Sequence, residues 1–461
     1  MDELKEKLFY KQKNGYDIMS VEERKLCEDY CAAYMRYLDE ARTEREAVSE
    51  AIALAEAKGF KPLDEKAHGI KPGEKVYYNN RGKSLILAVG GQKPMSEGCV
   101  IEAAHVDAPR LDLKQLPLYE DSEFAYFKTH YYGGIKKYQW VTISLELHGV
   151  VALKNGETVD VVIGRDKADP QFVITDLLPH LAADQMQKKG PEIIKGEALN
   201  VVIGTAPYTG EGNDRVKLAV MSILHDRYGI TEEDFLSAEL EVVPGFDVRD
   251  IGLDRSLIGG YGHDDRVCAY AELKAIFDIK NPNTTAVCIL ADKEEIGSEG
   301  TRGMQSEAFE CFMTDLCAAE RVELRRCFEK SLCISADVCN AFDPVYPEVS
   351  EKRNNAKANY GMGISKYTGA RGKSGTNDAD AETVGKLRKI FADENVVWQM
   401  AELGKVDQGG GGTVAMFMAK RNISTIDAGV PVLSMHAPFE VVSKFDCYMT
   451  YKGVKAVYEK N

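Results

Sequence analysis

Histidines and carboxylates recur in this chain directly after short apolar runs. His105 and Asp107 follow VIEAA, the adjacent Glu294 and Glu295 follow CILADK, Asp337 follows CISA, and His436 follows PVLSM. Asp264 and Asp265 stand just ahead of a helical pattern that begins near Arg266. Imidazole and carboxylate are the ligands that zinc, cobalt and manganese accept, and a site for two ions needs about five protein groups and a bridging water. These segments supply that number. In the His-x-Asp spacing, Asp107 can reach back to the far nitrogen of His105 and so fix the tautomer and orientation of a ligating imidazole. Two touching glutamates on an irregular loop can be sent in different directions, one to metal and the other, left free, to a proton of the water that the ions activate. The pattern implies metal-dependent hydrolysis at a dinuclear site.

Each residue alone has a plainer explanation. An isolated His-x-Asp or Glu-Glu pair is usually solvated surface, Asp264 suits an N-cap for the helix that follows, and His436 fits a satisfied core histidine. What favours chemistry is coincidence, because the pattern places these segments at one edge of one sheet.

The elements that must position them are short apolar runs closed by glycine, proline or acid: SLILAVGG (84–91), GCVIEAAHVDAP (98–109), TTAVCILAD (284–292) and LCISADV (332–338). Such runs are expected of buried strands. They alternate with helical patterns at 266–278 and near 304–329, which implies an α/β fold: a mixed, largely parallel sheet flanked by helices, with functional residues on loops at the strands' carboxyl ends. Residues 20–58 read as a packed helical segment, with Leu26, Tyr30, Tyr34 and Leu38 at four-residue spacing.

The texture changes from 112 to 245. WVTISLELHGVVALKNGETVDVVIG alternates apolar and polar residues, with Asn155-Gly156 marking a tight hairpin turn, and a helical pattern at 216–229 and the run AELEVVPG (238–245) follow. Residues 112–245 are therefore expected to form an inserted β-rich domain, which splits the catalytic domain into 1–111 and 246–461.

Composition narrows the function classes. A formal net charge of −15 leaves no electrostatic footprint for nucleic acid. The charged N-terminal stretch is unlike a secretory signal and no apolar run reaches bilayer length, so a cytoplasmic protein without a membrane partner is expected. The 11 cysteines are odd in number and include no CxxC, which suits reduced thiols rather than disulfides or a thiolate zinc site.

Five segments in order, AAHVDAPRLDLK (103–114), YGHDDRVCAY (261–270), DKEEIGSEG (292–300), ISADV (334–338) and DAGVPVLSMHAPFE (427–440), resemble the aspartyl aminopeptidase family of dinuclear zinc exopeptidases, and more closely its bacterial branch. The resemblance runs over nearly the whole chain. It implies that Asp264 bridges two divalent ions per subunit, zinc foremost with cobalt or manganese as alternatives. His105 and Asp337 would complete one site, and Glu295 and His436 the other. Glu294 would be the general base, and Asp107 the residue that orients His105. The implied substrates are peptides with a free N-terminus, from which the first residue is removed.

Further expectations come from the same resemblance. The insertion would be a dimerisation domain, and dimers would assemble into a dodecamer in which a histidine from a neighbouring insertion enters the active site; His180, in LLPHLA, is the candidate. The family's preference for an N-terminal Asp or Glu points to Lys366 and Arg371 in YGMGISKYTGARGKSG (360–375) as a cationic pocket. DQGGGGTVA (407–415) lacks the Lys and Ser/Thr of a phosphate loop and is implied to be an active-site backbone loop. The chain departs from many members in having Asp265 rather than Asn after the bridging position, and VCNAFDP (338–344) carries no histidine. Neither change removes an implied ligand. Near the C-terminus, Ser443 with Asp446 fits a capping box that opens a helix with Phe445 and Met449 on one face. Two other readings stay open, a metal-dependent deacylase on the same fold and a non-catalytic assembly or cargo-binding protein, although scaffolding would need neither Glu294 nor the five ligand types.

Overall fold

The computed structural model describes residues 2–64 and 69–461. Its largest sheet has nine strands, in the order Lys61–Pro62, Lys75–Asn80, Ser84–Val89, Thr285–Ala291, Cys99–His105, Leu332–Ser335, Ser424–Gly429, Met362–Ser365 and Trp398–Met400. The central strands Thr285–Ala291, Cys99–His105, Leu332–Ser335 and Ser424–Gly429 run parallel, while antiparallel pairings occur toward the edges. Cys99–His105 is buried at every position, as a parallel strand covered on both faces by helices must be. Fully burying a side chain such as Ile101 contributes about 1.5–3 kcal/mol, so these central strands form a rigid floor for whatever follows their carboxyl ends.

Helices cover that floor. Thr43 and Glu46 form a capping box at the start of Glu44–Ala57, and Ser20 caps Val21–Glu40. The buried stripe of Val21–Glu40 runs through Cys27, Tyr30, Cys31, Tyr34, Tyr37 and Leu38. Leu26, expected on that stripe, is exposed because Cys27 occupies the inward position one helical step away. Helix His263–Asp278 is buried along nearly its whole length and packs against helix Lys444–Lys460. Ser443 accepts the Asp446 N–H at the start of the latter helix, with Phe445 and Met449 buried. Asp446 does not return that bond: its carboxylate takes the N–H groups of Asn359 and Gly361, so the box is half formed. The helical pattern near 304–329 resolves into two helices, Ala308–Ala318 and Leu324–Glu329, broken where Arg321 adopts a left-handed φ of 55°.

A second sheet has six antiparallel strands, all drawn from residues 110–244, with its own apolar cluster around Trp140, Leu147 and Phe235. Its Leu145–Ala152 and Thr158–Ile163 hairpin turns at Asn155-Gly156, with Gly156 at φ 88°. The turn is wider than a two-residue one, because Leu153 N–H reaches Glu157 O and Asn155 lacks the positive φ that a tight turn needs.

A third sheet of five short strands contains Leu257–Gly260, Glu440–Ser443 and Pro431–Leu433. It corrects the expectation of a single edge. Asp264 and His436 follow strands of this small sheet, not of the large one. Among the described residues, no helix is long and apolar enough to cross a membrane.

Candidate metal centre

The carboxyl ends of three parallel strands bring three segments together. His105 ends Cys99–His105 opposite Ala291, Glu294 and Glu295 lie three and four residues beyond Ala291, and Asp337 follows Ser335. The helix starting at His263 delivers Asp264 from above, and the turn after Leu433 delivers His436, held at φ 64°.

Asp264 lies between the two imidazoles. Its Oδ1 is 3.2 Å from His105 Nε2 and its Oδ2 is 3.3 Å from His436 Nε2. The two adjacent glutamates diverge: Glu294 Oε2 is 3.8 Å from His105 Nε2, and Glu295 Oε2 is 3.6 Å from His436 Nε2. A tight turn at Glu294–Ile296, flanked by Lys293 at φ 72° and Gly297 at φ 91°, sends the neighbouring side chains apart. Each imidazole is steadied from behind. His105 Nδ1 contacts Asp107 O at 2.9 Å and Asp107 Oδ1 at 3.4 Å, and His436 Nδ1 donates to Gly134 O at 2.8 Å, leaving both Nε2 atoms facing the acids. The backbone comes this close because Gly134 has no Cβ, which would meet His436 Nδ1 at 3.3 Å.

Two contributors, Glu440 and Tyr132, escaped sequence reasoning, and a third, Asp265, was singled out there without a role. Glu440 accepts the His436 N–H on Oε1 (2.7 Å) and the Asp264 N–H on Oε2 (3.0 Å), so one buried carboxylate positions both segments from the small sheet. Tyr132 donates to Asp107 Oδ2 at 2.7 Å. Asp265 accepts the His105 N–H at 3.3 Å and groups with His105 and Asp337, where the expectation had placed Asp264 alone. Sequence offered a signal only for Asp265, through its adjacency to Asp264.

Charge explains what the centre is for. Burial disfavours charge on His105, but Asp107 and Asp264 outweigh it and hold the imidazole well above its ordinary value. Burial likewise opposes His436, while Asp264 and Glu295 lift it to about 10. Burial pushes Glu294 up to about 7, against the pull of His105 and with the push of Asp107 and Asp264, and it drives Glu295 and Asp337 well above the carboxylate range. Asp264 ends below that range because its bonds to both histidines exceed its burial cost. Buried Glu295 Oε1 and Asp265 Oδ1 have no hydrogen-bond partner among the described residues. Crowded buried carboxylates with unpaired oxygens need cations, and the two His/acid groups found among the described residues, His105 with Asp265 and Asp337 and His105 with Asp264 and Glu295, have ligand atoms within 4.8 Å of one another. The donor set fits divalent zinc.

Comparison with known proteins agrees with this chemistry. Residues 37–458 match the family model described as aminopeptidase I zinc metalloprotease (M18). The chain belongs to the M18 family of zinc aminopeptidases. This M18 member is 48% identical over 459 residues to a probable M18 family aminopeptidase 1 of Clostridium acetobutylicum, covering 97% of this chain and 98% of the relative. Its fold matches the crystal structure of an M18 aminopeptidase from Thermotoga maritima with a TM-score of 0.94 at 43% identity, covering 98% of this chain and 100% of that one. A yeast protein solved as a dodecamer shares the fold at 19% identity, with a TM-score of 0.77 over 94% of this chain and 97% of that one. As an M18 member the chain is a hydrolase, a metalloaminopeptidase.

The contacts within the centre of this M18 enzyme described above involve none of the remaining expected residues. His180 sits exposed on the turn Pro179–Leu181, and no hydrogen bond or ion pair among the described residues involves its ring. Lys366 is half-buried and Arg371 exposed on the 366–378 loop. That loop packs against the glycine run, with Gly411 N–H donating to Thr368 O at 2.9 Å, and Gly410, at φ 122°, tolerates no Cβ against Ala370.

Proposed function

We propose that the centre holds two zinc ions per subunit and that the enzyme uses them to release the first residue of peptides with a free N-terminus. Asp264 would be shared by the two ions, with His105 and Asp337 holding one and Glu295 and His436 the other. The observation that carries this reading is Asp264, whose two oxygens address two different imidazoles at nearly equal distances of 3.2 and 3.3 Å. Asp265 accepts the His105 N–H on Oδ2, and its Oδ1 stays open to the ion held by His105 and Asp337. Zinc supplies a lowered water pKa, toward about 7, and polarisation of the scissile carbonyl.

The protein's own groups do the rest. Glu294, with a side chain 17% exposed where Glu295 is only 4% exposed, is the acid that substrate water can reach. It takes the proton of the attacking water and passes it to the leaving amine. Asp107 keeps His105 in the tautomer that leaves Nε2 unprotonated. Lys366 and Arg371 bind the side chain of an N-terminal Asp or Glu by charge-assisted hydrogen bonds.

Residues 112–245 serve as a dimerisation domain, and dimers build a cytoplasmic dodecamer in which His180 enters a neighbour's centre. Support comes from the exposure of His180 and from the dodecamer of the yeast relative.

The test is initial rates of the zinc-loaded enzyme on peptides beginning with Asp, Glu, Leu or Lys, each with free and acetylated N-termini, and with a chelator control. Chelator-sensitive release of the first residue, blocked by acetylation, is expected, with Asp and Glu fastest. No release from any peptide, with two ions bound per chain, would favour the deacylase or the non-catalytic reading instead.

A further inference from the structure

A cleft of about 710 Å³ opens beside His436, walled by the segment that continues from Gly134 and by the loop after Asp337. It is of the size that holds small ligands. His436, which lines this cleft, has a side chain 37% exposed, whereas that of His105 is 2% exposed, so the centre is open toward the cleft at His436. Lys136 and Asp343 are the charged side chains that line the cleft. Asp343 Oδ1 is engaged by the Val345 N–H at 2.8 Å in a local turn. Lys136 is exposed and has no ion-pair partner among the described residues.

We infer that this cleft receives the part of the peptide beyond the scissile bond, and that Lys136 binds the terminal carboxylate of a short peptide. The inference rests on the dinuclear reading above. Lys136 is two residues from Gly134, whose carbonyl holds His436, and two residues span at most about 7 Å. The ammonium therefore stands within the length of a few peptide residues from the reacting carbonyl. A free C-terminus supplies a carboxylate there whatever the side chains are, and a flexible ammonium suits a group whose depth varies with peptide length. The first side chain is provided for elsewhere, since the 366–378 loop packs on the glycine run and contributes nothing to this cleft. Tyr138, Tyr346 and Val349 give the cleft apolar surface that tolerates varied residues along the way.

The test compares di-, tri- and tetrapeptides with the same best-cleaved first residue, each as the free acid and as the C-terminal amide. Wild-type enzyme is expected to favour the free acid at one length by about tenfold in kcat/KM, the scale of one charge-assisted contact, carried by KM. That preference should shrink with added salt. Lys136→Ala should bring the acid-to-amide ratio to near one, Lys136→Arg should keep it, and Lys136→Glu should invert it. Cleavage by the wild type with no preference at any length, or a preference that survives in Lys136→Ala, overturns this inference alone. Failure of the wild type to cleave any of the peptides overturns the release of N-terminal residues proposed above, and this inference with it.

Discussion

The main-chain N–H of Glu294 donates to Asp107 Oδ1 over 3.1 Å. Asp107 Oδ2 takes the Glu295 N–H at 3.2 Å and the Tyr132 hydroxyl at 2.7 Å, and Oδ1 lies 3.4 Å from His105 Nδ1. One buried aspartate thus sets both the imidazole and the turn that carries the two glutamates. Burial would raise its carboxyl, but His105 and Tyr132 hold it below the usual range, so it works as an anion.

Asp107→Asn keeps the size and removes the charge, and it turns one acceptor oxygen into a donor that faces another donor. Zinc affinity or activity should fall about 10- to 100-fold, the usual cost of losing a partner behind a metal ligand. Activity measured against free zinc concentration separates the two losses. A variant with the wild-type curve would reduce Asp107 to a packing residue.

Glu294→Gln and Glu295→Gln should fail differently although the residues touch. On the roles proposed above, the first would lose the proton acceptor and should drop kcat by about 10²–10⁴-fold with zinc content unchanged. The second would lose a ligand and should come off purification short of zinc. Metal analysis beside kcat decides it, and near-normal turnover by Glu294→Gln would assign the base to another group.

Four strands of the large sheet, Ser84–Val89, Cys99–His105, Thr285–Ala291 and Leu332–Ser335, were legible because strands buried on both faces read as largely apolar runs. His105, Glu294, Glu295 and Asp337 could be placed because they sit immediately past those runs. Asp264 and His436 were legible as residues but not in their sheet: Leu257–Gly260 and Pro431–Leu433 are too short for periodicity to say which partners they find. Glu440 was invisible for a different reason. It acts on two main-chain N–H groups, and backbone partners leave no residue-type signal in a sequence.

His148 ties the six-stranded sheet to the N-terminal helices. Its Nδ1 lies 2.7 Å from Glu46 Oε1 and its Nε2 3.1 Å from Glu146 Oε2. With a carboxylate on each nitrogen, the ring is held as the cation; burial opposes that charge, but Glu146 and Glu46 outweigh it and raise the pKa above 6.5. A raised folded value means that the stabilisation is complete below about pH 6.5 and is lost as pH climbs through the folded value. His148→Gln should therefore cost about 2 kcal/mol near pH 6, on the scale of hydrogen bonds to charged groups, and less at pH 9. Thermal unfolding of both proteins across that range checks it. A difference that grows with pH would contradict the cationic bridge.

Glu440 offers the sharpest separation of metal binding from folding. Its two oxygens hold the His436 and Asp264 main-chain N–H groups, so the two segments from the small sheet share one anchor. Glu440→Gln leaves one acceptor and sets an amide donor against the other N–H, which loosens either His436 or Asp264 without altering either side chain. If zinc binds only the folded enzyme, chelation should lower Tm, and zinc at 100 times its Kd should restore about 2.7 kcal/mol. In Glu440→Gln the same gain in stability over the metal-free protein should need about 10- to 100-fold higher zinc. A zinc dependence displaced to higher concentration, with the metal-free Tm unchanged, assigns Glu440 to positioning His436 and Asp264. Coincident zinc dependences would show that His436 and Asp264 are held well enough by the rest of the fold, and a lowered metal-free Tm would make Glu440 a residue of the core instead.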